Sequence, residues 1–332
     1  MRYKDAGVDI AAMNAVKRLI GRICRTTYTP QVLSEIGLFG SLFKMPKMPD
    51  PVLVASCDSV GTKVLIAKKL GRLDTVGIDI VNHSVNDILT LGARPLFFLD
   101  YIGHSNLTAP QLTEIVSGLA RACRANNCAL VGGEVAMMPG IYKPGDFDLV
   151  GFIIGLVQRR RIVDGRKLAP GDIVIGLPSA GLHTNGYSLA RKVLFERAGL
   201  SVNSRLKGLA RTLGEELLRP HRSYLKPVYP LLSHIKAIAH ITGGGFYDNI
   251  QRLLPHEISV IISKKSWRPP RLFTLIQEHG NISDDEMYRV FNMGMGMVLF
   301  VEPRKAGIAL NAIKGSRIIG KVVRGTFGVV VI

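Results

Sequence analysis

The chain has 332 residues, 47% of them hydrophobic, and its 43 Lys+Arg against 25 Asp+Glu give a formal net charge of +18. That length predicts two domains, and the charge attracts anions at long range. The cations are spread along the chain, with only Arg159-Arg160-Arg161 as a dense run, and no zinc-finger spacing or aromatic-interleaved basic motif speaks for nucleic acid.

The four cysteines, Cys24, Cys57, Cys123 and Cys128, form no C-x-x-C pair, so reduced thiols in a cytoplasmic protein are expected. The charged start, MRYKDAGVDI, has no apolar core of the kind a signal peptide needs. PVLVA (residues 51–55) reads as a strand that stops near Asp58, after which Gly61-Thr62-Lys63 opens a helix. A P-loop places lysine before the hydroxyl and needs an earlier glycine, so any phosphate held here is held by another design. TVGIDIV (75–81) reads as a strand, residues 84–91 as helical, and PLFFLDYI (95–102) as a strand. Residues 109–126 carry Leu112, Ile115, Val116, Leu119, Ala120 and Cys123 at the spacing of one helical face. CALVGG (128–133) and LVGFIIGLV (149–157) are further strands, the latter only half a membrane span.

The charged Pro- and Gly-bearing stretch at 158–171 predicts a boundary between domains at 1–160 and 168–332. Beyond it DIVIGLPSAG predicts a strand, and helices are predicted over 187–198, before Lys226 and from about Pro269. GMGMVLFVEP and SRIIGKVV are the later strands. Strands mixed with helices imply an α/β or α+β layer structure.

Asp58, Asp79 and Glu134 each end an apolar strand-like run, and Asp87 follows in VNHSVND. Four carboxylates gathered at a cleft would need a cation, and Mg²⁺ is the hard, oxygen-bound ion usually shared with phosphates. Thr62, Lys63 and Asn86 add phosphate-compatible groups nearby; the competing reading is that each acid caps a turn or helix. In SAGLHTNGYSL, His183 and Asn185 sit on a loop before a helix, a placement suited to proton transfer or oxyanion contact. In HITGGGFYDNI, Gly243, Gly244 and Gly245 allow backbone N–H groups to approach a phosphate, although a plain turn explains three glycines equally well.

YKDAGVDI, D-x-V-G-T-K, GID, VND, PLFFLDY, GGE, MPGIY, HTNGYSL, ITGGG and FNMGMGM occur in this order over nearly the whole chain. In this the sequence strongly resembles the phosphoribosylformylglycinamidine cyclo-ligases. The resemblance implies a two-domain α/β (α+β) synthetase whose N-terminal domains pair into a homodimer with a β-barrel across the interface. It implies that Asp58, Asp79, Asp87 and Glu134 hold Mg²⁺ and the ATP triphosphate, with Thr62, Lys63 and Asn86 at the phosphates. It implies that Lys4 and Asp5 lie on an arm over the nucleotide. It places His183, Asn185 and Gly243 to Gly245 against a small ribonucleotide, with His183, Asn185 and Lys63 as catalytic groups. The implied reaction is ring closure of formylglycinamidine ribonucleotide through an iminophosphate, with neither nucleic acid nor membrane as a partner. The chain departs from the family pattern at Cys57, Ser59, Gly37 to Ser41 and Val135 to Met137. Two other readings stay open: a related small-molecule kinase, such as a thiamine-monophosphate kinase or a divergent paralogue, and a non-catalytic basic binding protein.

Overall fold

The computed structural model describes residues 10–332, so Lys4 and Asp5 lie outside the described residues. The chain divides into two compact units. One runs through Ile88 and takes up Arg94–Gln158; the other joins Leu89–Ala93 to Arg159–Ile332.

The first unit contains α1 (Ile10–Arg25), β1 (Pro51–Ser59), α2 (Val64–Leu70), α3 (Asp74–Thr90), β2 (Arg94–His104), α4 (Ala109–Ala125), β3 (Ala129–Met137) and β4 (Phe147–Gln158). Its sheet has the order β1-β4-β2-β3, antiparallel except for the β2–β3 pair. α4 starts at Ala109, with Pro110 in its first turn, behind a Thr108–Gln111 capping box, which satisfies amides that the first turn cannot pair internally.

TVGIDIV is not a strand. It forms the first half of α3, a 17-residue helix. Val76, Ile80, Val81, Val85 and Leu89 are all fully buried, because the helix is covered on several sides. α3 and α4 cross closely through two glycines. A Cβ on Gly77 would lie 2.3 Å from the Ile115 carbonyl, and one on Gly118 would lie 1.9 Å from the Asp74 carbonyl. Larger side chains would push the helices apart, so Gly77 in this run serves packing against α4, not a turn.

The sheet register sorts the acidic residues by face. Asp58 pairs with Gly151, Gly151 with Asp100, and Asp100 with Gly133. The next row is Ser59, Val150, Tyr101 and Glu134. Cross-strand partners share a face and successive residues alternate, so Asp58 and Asp100 lie on one face and Glu134 lies on the other. The Asp58 face is the one α3 covers: a Cβ on Gly151 would run into Ile80 and Phe98. The other face leaves Leu53 55% and Phe152 42% exposed, with Cys57 beside them.

The second unit contains β5 (Ile173–Pro178), α5 (Tyr187–Arg191), which runs on as a wider turn through Arg197, α6 (Leu213–Leu217), α7 (Leu225–Val228) and β6 (Ile235–His240). Then come α8 (Gly245–Gln251), β7 (Ile258–Ile262), α9 (Arg271–Gly280), α10 (Asp284–Val290), β8 (Met295–Val301), α11 (Ala306–Ala312), β9 (Arg317–Arg324) and β10 (Val329–Val331). Six strands form one sheet in the order β10-β7-β9-β5-β8-β6, antiparallel except at β10–β7. β8 is buried along its whole length, between β5 and β6. Among the described residues no helix is long and apolar enough to cross a membrane.

Candidate active site

In the first unit the Asp-to-Lys loop does not point its lysine outward. Gly61–Lys63 form one tight helical turn ahead of α2, and the Lys63 side chain is fully buried. Its Nζ lies 2.9 Å from Asp79 Oδ1 and 2.8 Å from Oδ2, and Asp79 is equally buried. Burial pulls the Lys63 amine below its ordinary pKa and the Asp79 charge opposes that pull. Asp79 therefore does not end a strand at a cleft. It anchors the start of α2 to the middle of α3, and the two groups that the sequence assigns to metal and phosphate are engaged with each other. Asn86 is also fully buried, whereas Thr62 is partly exposed.

Asp58 and Asp87 do come together, around a residue that the motifs did not single out. His83 lies one turn before Asp87 on α3, and its Nε2 sits 2.7 Å from Asp58 Oδ2 and 3.3 Å from Asp87 Oδ2. Ser56 Oγ donates to Asp87 Oδ2 at 3.3 Å. Burial alone would lower the imidazole pKa, but the charge of Asp87 and the hydrogen bonds to both carboxylates raise it to about 10. For Asp58 burial acts upward, yet the His83 contact outweighs it and leaves the carboxyl below its usual value. A cation thus stands between two partly exposed carboxylates. The signal was the i, i+4 spacing of His83 and Asp87 in VNHSVND.

The expected cluster of four carboxylates does not form on one face. Glu134 is exposed and lies mid-strand, because β3 continues to Met137 instead of ending at GGE, and its register places it on the face opposite Asp58. Asp100, in contrast, shares the Asp58 row, is 8% exposed, and burial pushes its carboxyl up to about 7.

In the second unit the two predicted loops converge on three histidines. His183 has a left-handed backbone, φ 63°, and its Nε2 accepts from the Ala180 amide at 3.0 Å. It is 1% exposed, so it is not an open loop side chain. Its ring stacks on His221 with centroids 3.9 Å apart. His221 Nε2 lies 3.1 Å from His240 Nε2, and His221 Nδ1 lies 3.3 Å from Thr184 Oγ1. Asn185 stands beside Thr184, with Nδ2 3.4 Å from its hydroxyl.

The three glycines after β6 have different duties. A Cβ on Gly245 (φ 58°) would lie 1.9 Å from the Tyr288 carbonyl, and one on Gly244 (φ 87°) would meet Asp248 at 2.5 Å. Both are required by the start of α8. Gly243 has no such constraint; its nearest neighbour would be Asn185 Oδ1 at 3.4 Å. Gly243 and Asn185 thus stand side by side.

Residues 44–157 match the N-terminal domain of AIR synthase related proteins, and residues 169–332 match the C-terminal domain of the same family. The phosphoribosylformylglycinamidine cyclo-ligase of Thermoanaerobacter sp. (strain X514) is 45% identical over 335 aligned positions, covering 99% of this chain and 100% of that protein. The chain belongs to the phosphoribosylformylglycinamidine cyclo-ligase family. The cyclo-ligase of Syntrophus aciditrophicus (strain SB) is 48% identical and covers 91% of this chain and 88% of its own. Among solved structures, thiamine-monophosphate kinase from Stenotrophomonas maltophilia K279a superposes with a TM-score of 0.70 at 17% identity, covering 94% of this chain and 95% of its own. The hydrogenase maturation protein HypE in complex with ATP gives 0.66 at 17% identity, with 95% and 90% covered. At that identity the likeness is one of fold, shared by proteins of different activity.

Proposed function

We propose that this protein closes the imidazole ring of formylglycinamidine ribonucleotide to give aminoimidazole ribonucleotide, converting ATP to ADP and phosphate. The observation that carries the reading is near-half identity to cyclo-ligases along the full chain, in both domains. The formyl oxygen attacks the γ-phosphorus and ADP departs. The ribose-bearing amidine nitrogen then attacks the activated carbon, loses a proton, and the C–O bond breaks to release phosphate. Phosphorylation turns a poor leaving oxygen into a good one, so the protein's work is positioning and charge neutralisation.

The first unit carries the nucleotide side of this reading. Asp58 and Asp87 offer hard oxygen donors that already converge on a cation, His83, and this donor set fits Mg²⁺. Mg²⁺ held there would neutralise phosphoryl oxygens. Thr62, part-exposed at the start of the tight turn, is the phosphate contact from this loop. Lys63 and Asp79 hold the loop in place from below. The second unit carries the ribonucleotide side, with Asn185 and the Gly243 amide as its binding groups and His183 as the proton-handling imidazole.

The first unit also forms a homodimer in this reading. Its sheet leaves Leu53, Cys57 and Phe152 exposed on one face, an apolar surface that a second copy would cover. Sedimentation of the wild type and of Phe152→Glu tests this: a dimer that the substitution splits is expected, and an unchanged monomer in both contradicts it.

Calorimetric titration with a non-hydrolysable ATP analogue tests the nucleotide site. Binding that needs Mg²⁺ and falls at least tenfold in Asp58→Ala is expected. Equal binding without Mg²⁺ and in Asp58→Ala would remove the metal role.

A further inference from the structure

We propose that His221 is a positioning residue that relays a proton between the two loops of the second unit, through a wire that runs His240–His221–Thr184. The inference rests on the ring-closure reading and extends it, since neither His221 nor His240 belongs to the residues assigned above.

Three observations carry it. His221 belongs to neither loop; it comes from the connection between α6 and α7. It is 1% exposed, yet both its ring nitrogens face polar atoms, His240 Nε2 at 3.1 Å and Thr184 Oγ1 at 3.3 Å. Its ring is held flat by His183, stacked at 3.9 Å and 24°. A buried side chain serving packing alone would be apolar, because burying two ring nitrogens costs free energy unless both are bonded.

The geometry sets the proton count. Two imidazole nitrogens 3.1 Å apart share one proton, so one ring donates and the other accepts. In one arrangement His221 Nε2–H donates to His240, and His221 Nδ1 accepts the Thr184 hydroxyl. In the other, His240 Nε2–H donates to His221, and His221 Nδ1–H donates to Thr184. The first converts to the second when Thr184 Oγ takes up a proton. The hydroxyl proton passes to His221 Nδ1, the His221 Nε2 proton passes to His240 Nε2, and His240 gives its Nδ1 proton up to solvent. One proton enters and one leaves, both rings end neutral, and no net charge stays buried. Ring closure supplies the proton, lost from the attacking nitrogen. The same three rings offer ligand atoms within 4.8 Å of one another, a spacing at which a metal could bind. The stacked pair argues against that, because parallel rings direct their lone pairs side by side and not at one point.

The test uses the full chain and the variants His221→Phe, which keeps the stack, and His221→Gln, which keeps one hydrogen bond but cannot exchange tautomers. The relay predicts kcat lower by about 100-fold in both, with KM for ATP and the Tm little changed. Variants that fold and retain kcat within about twofold would overturn it. A second measurement does not depend on turnover or on the variants folding. Long-range ¹⁵N–¹H spectra of the wild type should show His221 and His240 neutral and sharing one proton between their Nε2 atoms. Two separate Nε2–H groups, or Zn²⁺ bound tightly by the wild type and lost in His221→Phe, would overturn the wire. If the wild type closes no ring but the shared proton is seen, the ring-closure reading fails and the wire stands as a device for another substrate.

Discussion

His83 Nε2 stands 2.7 Å from Asp58 and 3.3 Å from Asp87, so an imidazolium from the middle of α3 holds together two carboxylates from different elements. Without it those carboxylates would face each other across a partly desolvated gap. Hydrogen bonds to charged groups contribute about 1.5–3 kcal/mol, so His83→Leu should cost about that much stability without added metal. Mg²⁺ with an ATP analogue should then raise the Tm of the variant more than that of the wild type. Thermal unfolding with and without the pair checks it, and an equal shift in both proteins would contradict the shared position.

The Lys63–Asp79 pair predicts a loss of fold before a loss of phosphate contact. Removing one partner of a buried pair leaves an uncompensated charge and costs about 3–5 kcal/mol. Lys63→Met and Asp79→Leu should each be severely destabilised, and the double variant less so than either alone. Urea unfolding of the three measures the coupling. A Lys63→Met protein with wild-type stability and no nucleotide binding would return Lys63 to the phosphate.

Asp100 gives a pH dependence of definite sign. Its carboxyl is raised to about 7 in the fold by burial. Unfolded, it titrates near 3.9, so above that pH folding must increasingly keep the group protonated or bury its charge. The penalty is absent below the unfolded value and complete above the folded one. Asp100→Asn should therefore gain on the wild type by up to ~3 kcal/mol as pH goes from 4.5 to 8. Urea unfolding at the two values reads the difference, and a gain that shrinks with pH would contradict the assignment.

The glycine triplet separates structure from function. Gly245→Ala would place a Cβ against the Tyr288 carbonyl at positive φ, and should unfold the C-terminal unit or cost about 2–4 kcal/mol. Gly243→Ala should fold like the wild type and weaken ribonucleotide binding, since only Asn185 lies near. Parallel Tm and binding measurements on both variants decide it; the reverse pattern would shift the ligand contact to the start of α8.

Much of this was legible in the chain, and the misses have physical causes. β2, β4 and β8 are dominated by apolar runs long enough to read as strands. Thr75–Val81 misled because a helix buried on several sides shows no polar stripe, and a short apolar run then fits a strand equally well. That Asp58 and Asp87 approach each other was readable from their motifs, although His83 between them was not. Glu134 reads as a strand end, but β3 runs on to Met137, and the cross-strand register, which the sequence alone does not carry, puts Glu134 on the face opposite Asp58. His221 lies in no motif at all, and only the folded chain brings it to His240, 19 residues away.

The most direct measurement is turnover of formylglycinamidine ribonucleotide with ATP and Mg²⁺, following aminoimidazole ribonucleotide and ADP together in the wild type and Asp58→Ala. Equal amounts of both products from the wild type and almost none from the variant are expected. ADP released without imidazole formation, or no turnover by a folded wild-type protein, would contradict it.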